Sequence, residues 1–212
     1  MIPLWRLTRN RYGRALYDRL HSLGLTATRM YLYAAHLDDI DRGHRGSSLA
    51  GLHIDVRRLE TMDEPMTDAF SQLDNGDIIV AAMSESAIAG RLFVSIDREV
   101  YVPPLEQAVN PEGAYLWKLY VEPAFRQRGL ATTLLCRAVD VLDRESEAET
   151  ACALVALDNH PSRVTFEANG FEPRAVVSYL RAFGFEERFE RDLTDDGSGS
   201  KSKIPAFDRT EL

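Results

Sequence analysis

The sequence predicts a mixed α/β fold in which helices pack on a central sheet. Short apolar runs alternate with amphipathic segments, in the order strand, helix, paired strands, strand–loop–helix, strand, helix and strand. Hydrophobic residues make up 45% of the 212 residues and charged residues 27%, the balance of a globular protein. A chain of this length buries a core large enough to fold without disulfides or metals.

The first half of the main domain contains one predicted helix between strands. Residues 53–59 alternate in polarity, which predicts a strand. Residues 63–73 place an acid and a proline before spaced apolar residues, the pattern of a helix start. Residues 78–83 and 88–96 are apolar runs separated by a serine-containing turn, which predicts an antiparallel hairpin.

The second half begins with the strongest strand pattern of the chain. Residues 114–121 are aromatic and apolar and are interrupted only by Lys118. The remaining elements are predicted from helical periodicity, apolar runs and glycine stops, at residues 129–147 (helix), 151–157 (strand), 161–169 (helix), 174–183 (strand) and 187–193 (a candidate strand).

Charge and composition divide the chain into three segments. Residues 1–48 form a basic extension with a predicted helix and a candidate strand at 29–35, residues 49–193 form the main domain, and residues 194–212 are predicted to be disordered. The first thirty residues contain six Arg and one acid. Three alternatives are open for them: a helix packed on the domain with solvated Arg, an amphipathic helix on anionic lipid, or a docking or dimer contact.

The composition argues against several classes of protein. A formal net charge of -8 argues against a general nucleic-acid binder, which needs a basic surface. Cys136 and Cys152 lack metal-ligand spacing, so no metal site or disulfide is predicted and both are expected in the core. No apolar run is long enough for a membrane span or a signal peptide, which predicts a cytoplasmic protein.

The segment LYVEPAFRQRGLAT, residues 119–132, carries the clearest chemical signal. A strand ends at Val121, a loop carries Arg126 and Arg128, and Gly129 opens an amphipathic helix. The first N–H groups of a helix have no helical partners and lie at its positive end. A glycine there lets a phosphate approach the backbone, and Arg side chains bind it through paired hydrogen bonds. These residues predict a phosphate or pyrophosphate ligand.

The motif around Gly129 is neither of the two common phosphate motifs, since GxxxxGK[ST] and GxGxxG are both absent. It resembles the Gcn5-related N-acetyltransferase (GNAT) superfamily, whose [QR]-x-x-G-x-[GA] signature matches residues 126–131. A second family block follows a strand: Asn159-His160-Pro161-Ser162, then Phe166, then Gly170-Phe171 at the family's spacing. The two blocks span residues 114–171, and the earlier strands fit the family's first half.

This resemblance implies the acyl-CoA N-acyltransferase fold, with a mostly antiparallel central sheet flanked by helices. It implies an acyltransferase that uses acetyl-CoA as donor, no metal, and an amine of a small molecule or protein that attacks the thioester directly. It implies no nucleic-acid partner, and a homodimer is left open. It assigns cofactor binding to ten residues: Leu119, Val121, Arg126, Gln127, Arg128, Gly129, Leu130, Ala131, Thr132 and Asn159.

The chain departs from the family pattern at the residues that handle protons. The Tyr that serves many members as the acid corresponds to Phe166, and the Glu that serves others as the base corresponds to Leu154 or Tyr115. Catalytic residues therefore stay unassigned, with Tyr179 and Glu122 as candidates. The missing groups leave a second function open, a non-catalytic regulatory module that binds acyl-CoA.

Two further side chains of the strand at residues 114–121 raise alternatives. Lys118 either lines the acceptor groove or packs its aliphatic stem on the domain with its amine in water. Tyr120 is expected to face the core, because it points opposite Val121.

Overall fold

The computed structural model describes residues 24–40, 51–59, 73–85 and 87–193, together with Arg19. The strands in these ranges are β1 (Thr26–His36), β2 (His53–Arg58), β3 (Ile78–Met83), β4 (Ile88–Ile96), β5 (Val100–Val102), β6 (Gln107–Val109), β7 (Ala114–Val121), β8 (Thr150–Ala156), β9 (Glu172–Ala182) and β10 (Phe185–Asp192). The α-helices in them are α1 (Leu130–Glu145) and α2 (His160–Ala168).

Eight of these strands form one sheet in the order β10-β9-β1-β8-β7-β4-β3-β2. Every neighbouring pair is antiparallel except β7 and β8, which are parallel. That parallel pair is in register only where Ala114 lies opposite Ala151 and Tyr115 opposite Cys152. The two strands therefore separate after Tyr115. The predicted mixed fold, with a mostly antiparallel sheet flanked by helices, is confirmed.

Different elements cover the two faces of the sheet. On one face, α1 packs Leu134 and Leu142 against sheet residues such as Val80, and all three are buried. On the other face, the β5–β6 hairpin packs Val102 in one cluster with Trp117. We call these the helix face and the hairpin face. Each fully buried aliphatic side chain contributes about 1.5–3 kcal/mol of stability, so both layers hold the sheet together.

Strand β1 lies inside the sheet, between β8 and β9. Residues 26–36, which belong to the segment that the sequence assigned to a basic extension, therefore form part of the central sheet. The boundary drawn at residues 48 and 49 lies outside the described residues, as do the tail at 194–212, most of the helix predicted at 63–73 and, apart from Arg19, the basic helix of the first residues.

A β-bulge at Lys118 changes where the end of β7 points. Lys118 has a φ of 51°, in the left-handed region, and the register with β4 shifts there by one residue. Trp117 packs on the hairpin face, whereas Leu119 and Val121 pack against the helix face. Strict alternation would place all three side chains on one face, so the extra residue sends the strand end toward α1.

Candidate active site

An open groove lies between the end of β7 and the residues that follow β8. Its cavity measures about 770 Å³, a size typical of small-molecule sites. The end of β7, the loop after it, the first turn of α1 and the start of α2 supply its lining: Leu119, Tyr120, Val121, Phe125, Arg126, Gln127, Gly129, Leu130, Ala131, Thr132, Asn159, Pro161, Ser162 and Thr165. The groove thus brings together the residues assigned to cofactor binding, except Arg128.

The first turn of α1 forms an anion cradle in this groove. Gly129 precedes the helix with a φ of 76°, and a Cβ built there meets nothing within 4 Å. The N–H of Thr133 donates to the Gly129 carbonyl at 3.0 Å, so the N–H groups before it precede the first helical bond. Gln127 also has a positive φ, 61°. Backbone N–H groups around such residues make anion-binding concavities, so the turn fits a pyrophosphate.

The two arginines of the loop differ in position. Arg126 lines the groove, and its Nε donates to the Val121 carbonyl at 2.9 Å, which ties the loop back to the end of β7. Arg128 is exposed and is not among the described residues that line the cavity. Among those lining residues, Arg126 carries the one formal charge, and it has the sign that a phosphate requires.

Asn159 lies at the other side of the groove, where α2 begins. It precedes the first residue of the helix, yet its side chain makes no capping hydrogen bond. The amide therefore lines the cavity without a structural role in closing the helix end. This placement agrees with a polar contact to a bound ligand.

Behind the groove, the buried amide of Asn169 joins α1 to α2. Its Nδ2 donates to the Thr165 carbonyl at 2.7 Å and to Thr132 Oγ1 at 3.4 Å, and the residue is 2% exposed. Because Thr132 belongs to the first turn of α1, Asn169 fixes the cradle against α2. This role of Asn169 was not predictable from the sequence, since an Asn before a Gly at a helix end is an ordinary helix stop.

A family model described as the acetyltransferase (GNAT) family matches residues 48–171, which is more than half of the chain. The chain belongs to the GNAT acetyltransferase family. The matched range includes each of the described residues that line the groove. The GNAT family generally uses acetyl-CoA as donor.

Solved structures that are similar to this chain include a GNAT protein. A tandem GNAT protein from the clavulanic acid biosynthesis pathway has a TM-score of 0.51 at 19% identity, over 85% of this chain and 59% of that one. A functionally unknown protein from Staphylococcus epidermidis has a TM-score of 0.51 at 8% identity, over 84% and 70%. A GCN5-related N-acetyltransferase from Kribbella flavida has a TM-score of 0.49 at 16% identity, over 81% and 65%.

At these identities the likeness concerns the fold alone. This chain spans less than two thirds of the length of the tandem protein and of the Kribbella protein. No curated protein matches the sequence.

The three positions that the family resemblance matches to an acid or base lie in or against the core here. Phe166 is 3% exposed and packs between Tyr33 and Phe171, with ring centroids 6.1 and 5.1 Å away. Tyr115 is buried, and burial raises the pKa of its phenol far above the usual range. Leu154 lies half-buried in β8 on the hairpin face. None of these side chains is among the described residues that line the groove.

The candidate Tyr179 is buried on β9, outside the described lining of the groove. Its hydroxyl donates to Glu106 Oε2 at 3.0 Å, and the Arg188 guanidinium lies 4.8 Å from its ring centroid. Burial, followed by the hydrogen bond to Glu106, raises the pKa of Tyr179. This tyrosine already has a structural partner, and a role as catalytic acid stays a prediction.

The candidate Glu122 follows β7 directly. Its backbone N–H donates to the Ala89 carbonyl at 2.9 Å, and its Oε2 accepts the Tyr120 hydroxyl at 3.3 Å. The carboxylate thus stands beside the groove and orients Tyr120.

Tyr120 was expected to face the core, and this expectation is wrong. The tyrosine lines the groove and is half-buried. The guanidinium groups of Arg91 and Arg126 lie 5.0 and 5.8 Å from its ring centroid. The sequence contains one sign of this exception. Lys118 interrupts an apolar strand, and it is the position of the bulge that breaks the alternation of side chains along β7.

Lys118 itself is not among the described residues that line the groove. Its Nζ lies 5.2 Å from the ring centroid of Trp117, and the side chain is half-buried. Burial, together with the charge of Arg91, lowers the pKa of Lys118. The acceptor-groove alternative for this lysine stays a prediction.

Both cysteines are buried, as expected, and burial raises the pKa of Cys152 to about 12. In the described part of the chain, no group of three or more His, Cys, Asp and Glu side chains is arranged to hold a metal ion. No helix in the ranges that the structure describes is long and apolar enough to cross a membrane.

Proposed function

We propose that this GNAT protein is an N-acetyltransferase that transfers an acetyl group from acetyl-CoA to an amine of a small molecule or a protein. The observation that carries the proposal is the groove, in which an anion cradle at Gly129 continues to the end of β7. Acetyl-CoA supplies a thioester, whose acetyl group an amine accepts. The protein supplies the cradle for the pyrophosphate and the strand end for the pantetheine arm.

Holding these groups is the main task of the chain in this proposal. The N–H groups of Leu130, Ala131 and Thr132, at the start of α1, bind the pyrophosphate, and Arg126 closes over it. The backbone of Leu119 and Val121 orients the pantetheine arm, and Asn159 contacts it from the opposite side. Fixing two reactants in register accounts for a large part of the rate in such a reaction.

Direct attack by the amine is favoured over transfer through an enzyme nucleophile. A cysteine nucleophile acts as the thiolate and must be accessible. Cys136 and Cys152 are both buried, and the raised pKa of Cys152 keeps its thiol protonated at neutral pH. The described groove lining contains no Cys, His, Asp or Glu.

Tyr120 is the side chain that we assign as proton donor to the departing thiolate. The amine nitrogen loses one proton to water when the amide forms, and Tyr120 regains its proton from water, so one proton leaves the nitrogen and one reaches the sulfur. It is the phenol among the described lining residues, and Glu122 holds its hydroxyl at 3.3 Å. It lies between Leu119 and Val121, the residues assigned to the thioester end of the cofactor. A positioned general acid contributes about 10²–10⁴-fold to such a rate.

A coupled experiment tests this proposal: acetyl-CoA affinity by calorimetry, and release of the CoA thiol in the presence of small amines, polyamines and peptides with free N-termini. We expect binding and amine-dependent thiol release. In Tyr120→Phe, kcat falls by about 10²-fold or more and the affinity for acetyl-CoA is kept. Tyr179→Phe separates the two candidate acids, because its hydroxyl lies outside the described groove lining. A kcat near that of the wild type supports Tyr120 as the acid, and a loss confined to Tyr179→Phe would assign the acid to Tyr179 instead.

The buried Phe166 favours a second function, a regulatory module that binds acyl-CoA without turnover. At this position a GNAT enzyme of the common type carries an acid, and here an apolar ring packs in the core. Acetyl-CoA binding without thiol release for any amine in the panel would support this module and overturn the enzyme. Absence of acetyl-CoA binding would overturn both.

A further inference from the structure

The last hairpin of the sheet carries an unusual set of exposed apolar side chains. Leu180, Phe183, Phe185 and Phe189 are 46%, 82%, 79% and 54% exposed. Together with Tyr101 and Val164, they make up the large exposed hydrophobic residues of the described chain. A cluster of exposed rings on one element is typical of a protein interaction surface.

Strand β10 is the terminal strand of the sheet in the described residues, and every residue in it is exposed. The N–H of Leu193 donates to the Arg174 carbonyl at 2.7 Å, so odd-numbered residues of this stretch direct their backbone groups toward β9. Backbone N–H and C=O groups alternate in direction along a strand. Those of Glu186 and Arg188 therefore point away from β9, along the edge where another strand adds to a sheet.

The sequence of β10, FEERFERD, is complementary to itself when two copies run antiparallel. With a two-fold axis at Phe189, the two Phe189 rings face each other, and Glu187 lies opposite Arg191 of the second copy. On the other side of the strand, Arg188 lies opposite Glu190. Each of these charge pairs occurs twice across the axis, because the interface is symmetric.

The ends of this ladder hold one apolar pair and one pair of like charges. Phe185 lies opposite Leu193 of the second copy, so apolar residues close the face that Phe189 occupies. Only Glu186 and Asp192 oppose a like charge, at the two ends. Cross-strand pairs of opposite charge and of aromatic residues each stabilise a sheet by about 0.2–1 kcal/mol.

Neighbouring registers are less favourable. Moving the axis by half a residue would pair an outward backbone group with one that points toward β9, so the neighbouring registers that keep the outward groups paired have their axis at Arg188 or at Glu190. An axis at Arg188 sets two guanidinium groups against each other, and an axis at Glu190 sets two carboxylates. Like charges directly opposite each other destabilise a sheet, so charge selects the register centred on Phe189.

We propose that this edge is a homodimer interface, in which two copies of the chain join β10 to β10 across a two-fold axis at Phe189 and form one continuous sheet. The occupant of the edge is a second copy of this chain, because the charge pattern of β10 complements its own reverse. The groove is formed within one chain, and the inference does not depend on the proposed acetyl transfer.

Sedimentation velocity of the full chain over a range of concentrations tests the interface. We expect the mass of two chains, and a dissociation constant raised about tenfold or more in Phe189→Asp, which places two carboxylates on the axis. Phe183→Asp is the matched control. Its ring is the more exposed one, it lies in the turn outside the ladder, and the variant is expected to stay dimeric.

Charge reversal and cross-linking test the register. Glu187→Arg opposes Arg191 of the second copy and is expected to dissociate the dimer, whereas adding Arg191→Glu restores the pair and the dimer. Phe189→Cys is expected to form an intermolecular disulfide on mild oxidation, because directly opposite residues come within disulfide distance and the native cysteines are buried.

A wild-type chain that stays monomeric at all concentrations overturns the proposal and indicates that another part of the chain covers the edge. A dimer that persists in both Phe189→Asp and Glu187→Arg also overturns it, because another surface then forms the contact. Circular dichroism melting of each variant separates dissociation from unfolding.

Discussion

Replacing Gly129 by glutamate separates the role of the cradle in ligand binding from its role in the fold. A non-glycine residue at the φ of 76° costs about 1–2 kcal/mol of folding free energy. No atom lies within 4 Å of the new Cβ, so no steric clash adds to this cost. A carboxylate at a helix N-terminus stabilises the fold by about 0.3–1 kcal/mol, which offsets part of this cost. We expect the melting temperature to fall by only about 2–4 °C.

We expect Gly129→Glu to lower the affinity for acetyl-CoA far more than it lowers the stability of the fold. A carboxylate about 5 Å from a doubly charged pyrophosphate is repelled by about 1.7 kcal/mol at the dielectric constant of water and by about 6.6 kcal/mol at an effective value of 20. Even the smaller figure corresponds to an affinity about fifteenfold weaker. The side chain also blocks the close backbone approach that Gly129 allows. The expected loss of affinity is therefore at least tenfold, measured by calorimetry.

Gly184→Glu is the matched control for this substitution. Gly184 lies in the turn between β9 and β10, has a φ of 86°, and likewise has no atom within 4 Å of an added Cβ. The control shares the backbone strain and the added charge, but it is outside the groove lining, and its acetyl-CoA affinity is expected to match the wild type. Equal affinities of the two variants would refute the assignment of the cradle.

Three further predictions concern stability and reactivity. Gly170→Ala should lower stability by about 3 kcal/mol or more in urea unfolding, because its φ is 89° and the new Cβ lies 2.7 Å from a backbone carbonyl, whereas Gly76→Ala, with a φ of 88° and open space, should lose about 1 kcal/mol. Arg98→Met removes both hydrogen bonds of that guanidinium to the fully buried Asp77 carboxylate and should cost about 3–5 kcal/mol in the same assay; a loss below about 1 kcal/mol would contradict this. The buried Cys152, with its pKa of about 12, should resist a thiol reagent at pH 8 in the folded protein and react once the chain is unfolded; fast reaction without unfolding would argue against its burial.

Periodicity in the sequence was sufficient for the elements that build the groove. The apolar face predicted for residues 129–147 forms α1, and the strands predicted at 114–121 and 151–157 form β7 and β8. The signature around Gly129 predicted that this glycine opens a helix, and the structure has the helix there, because a glycine before a helix start is a local feature of one sequence segment. The ligand of that turn stays a prediction. The place of β1 between β8 and β9 was not predictable in this way, since strand neighbours depend on contacts between distant segments.

The buried ion pair of Asp77 with Arg98 and the contact of Asn169 with α1 could not be predicted from the sequence, for the same reason. Asp77 lies in the polar stretch before β3, and its partner Arg98 lies beyond two intervening strands. Asn169 resembled an ordinary helix stop, yet its amide reaches the first turn of α1. In both cases the two partners come close only when the chain folds, and their spacing in the sequence does not predict the contact.

The bulge at Lys118 connects the fold to the groove, and a pair of substitutions tests this connection. Both Lys118→Gly and Lys118→Val remove the contact of the amine with Trp117, so the comparison of the two isolates the backbone. Glycine adopts the φ of 51° without strain, whereas a β-branched valine strongly disfavours it. A valine cannot relieve this strain by restoring strict alternation, because strict alternation would turn Leu119 and Val121 to the hairpin face.

We expect Lys118→Val to be about 2 kcal/mol less stable than Lys118→Gly, a difference of about 4–8 °C in melting temperature. Lys118→Gly should keep the acetyl-CoA affinity of the wild type. Equal melting temperatures for the two variants would show that the strand end reaches the groove without the bulge.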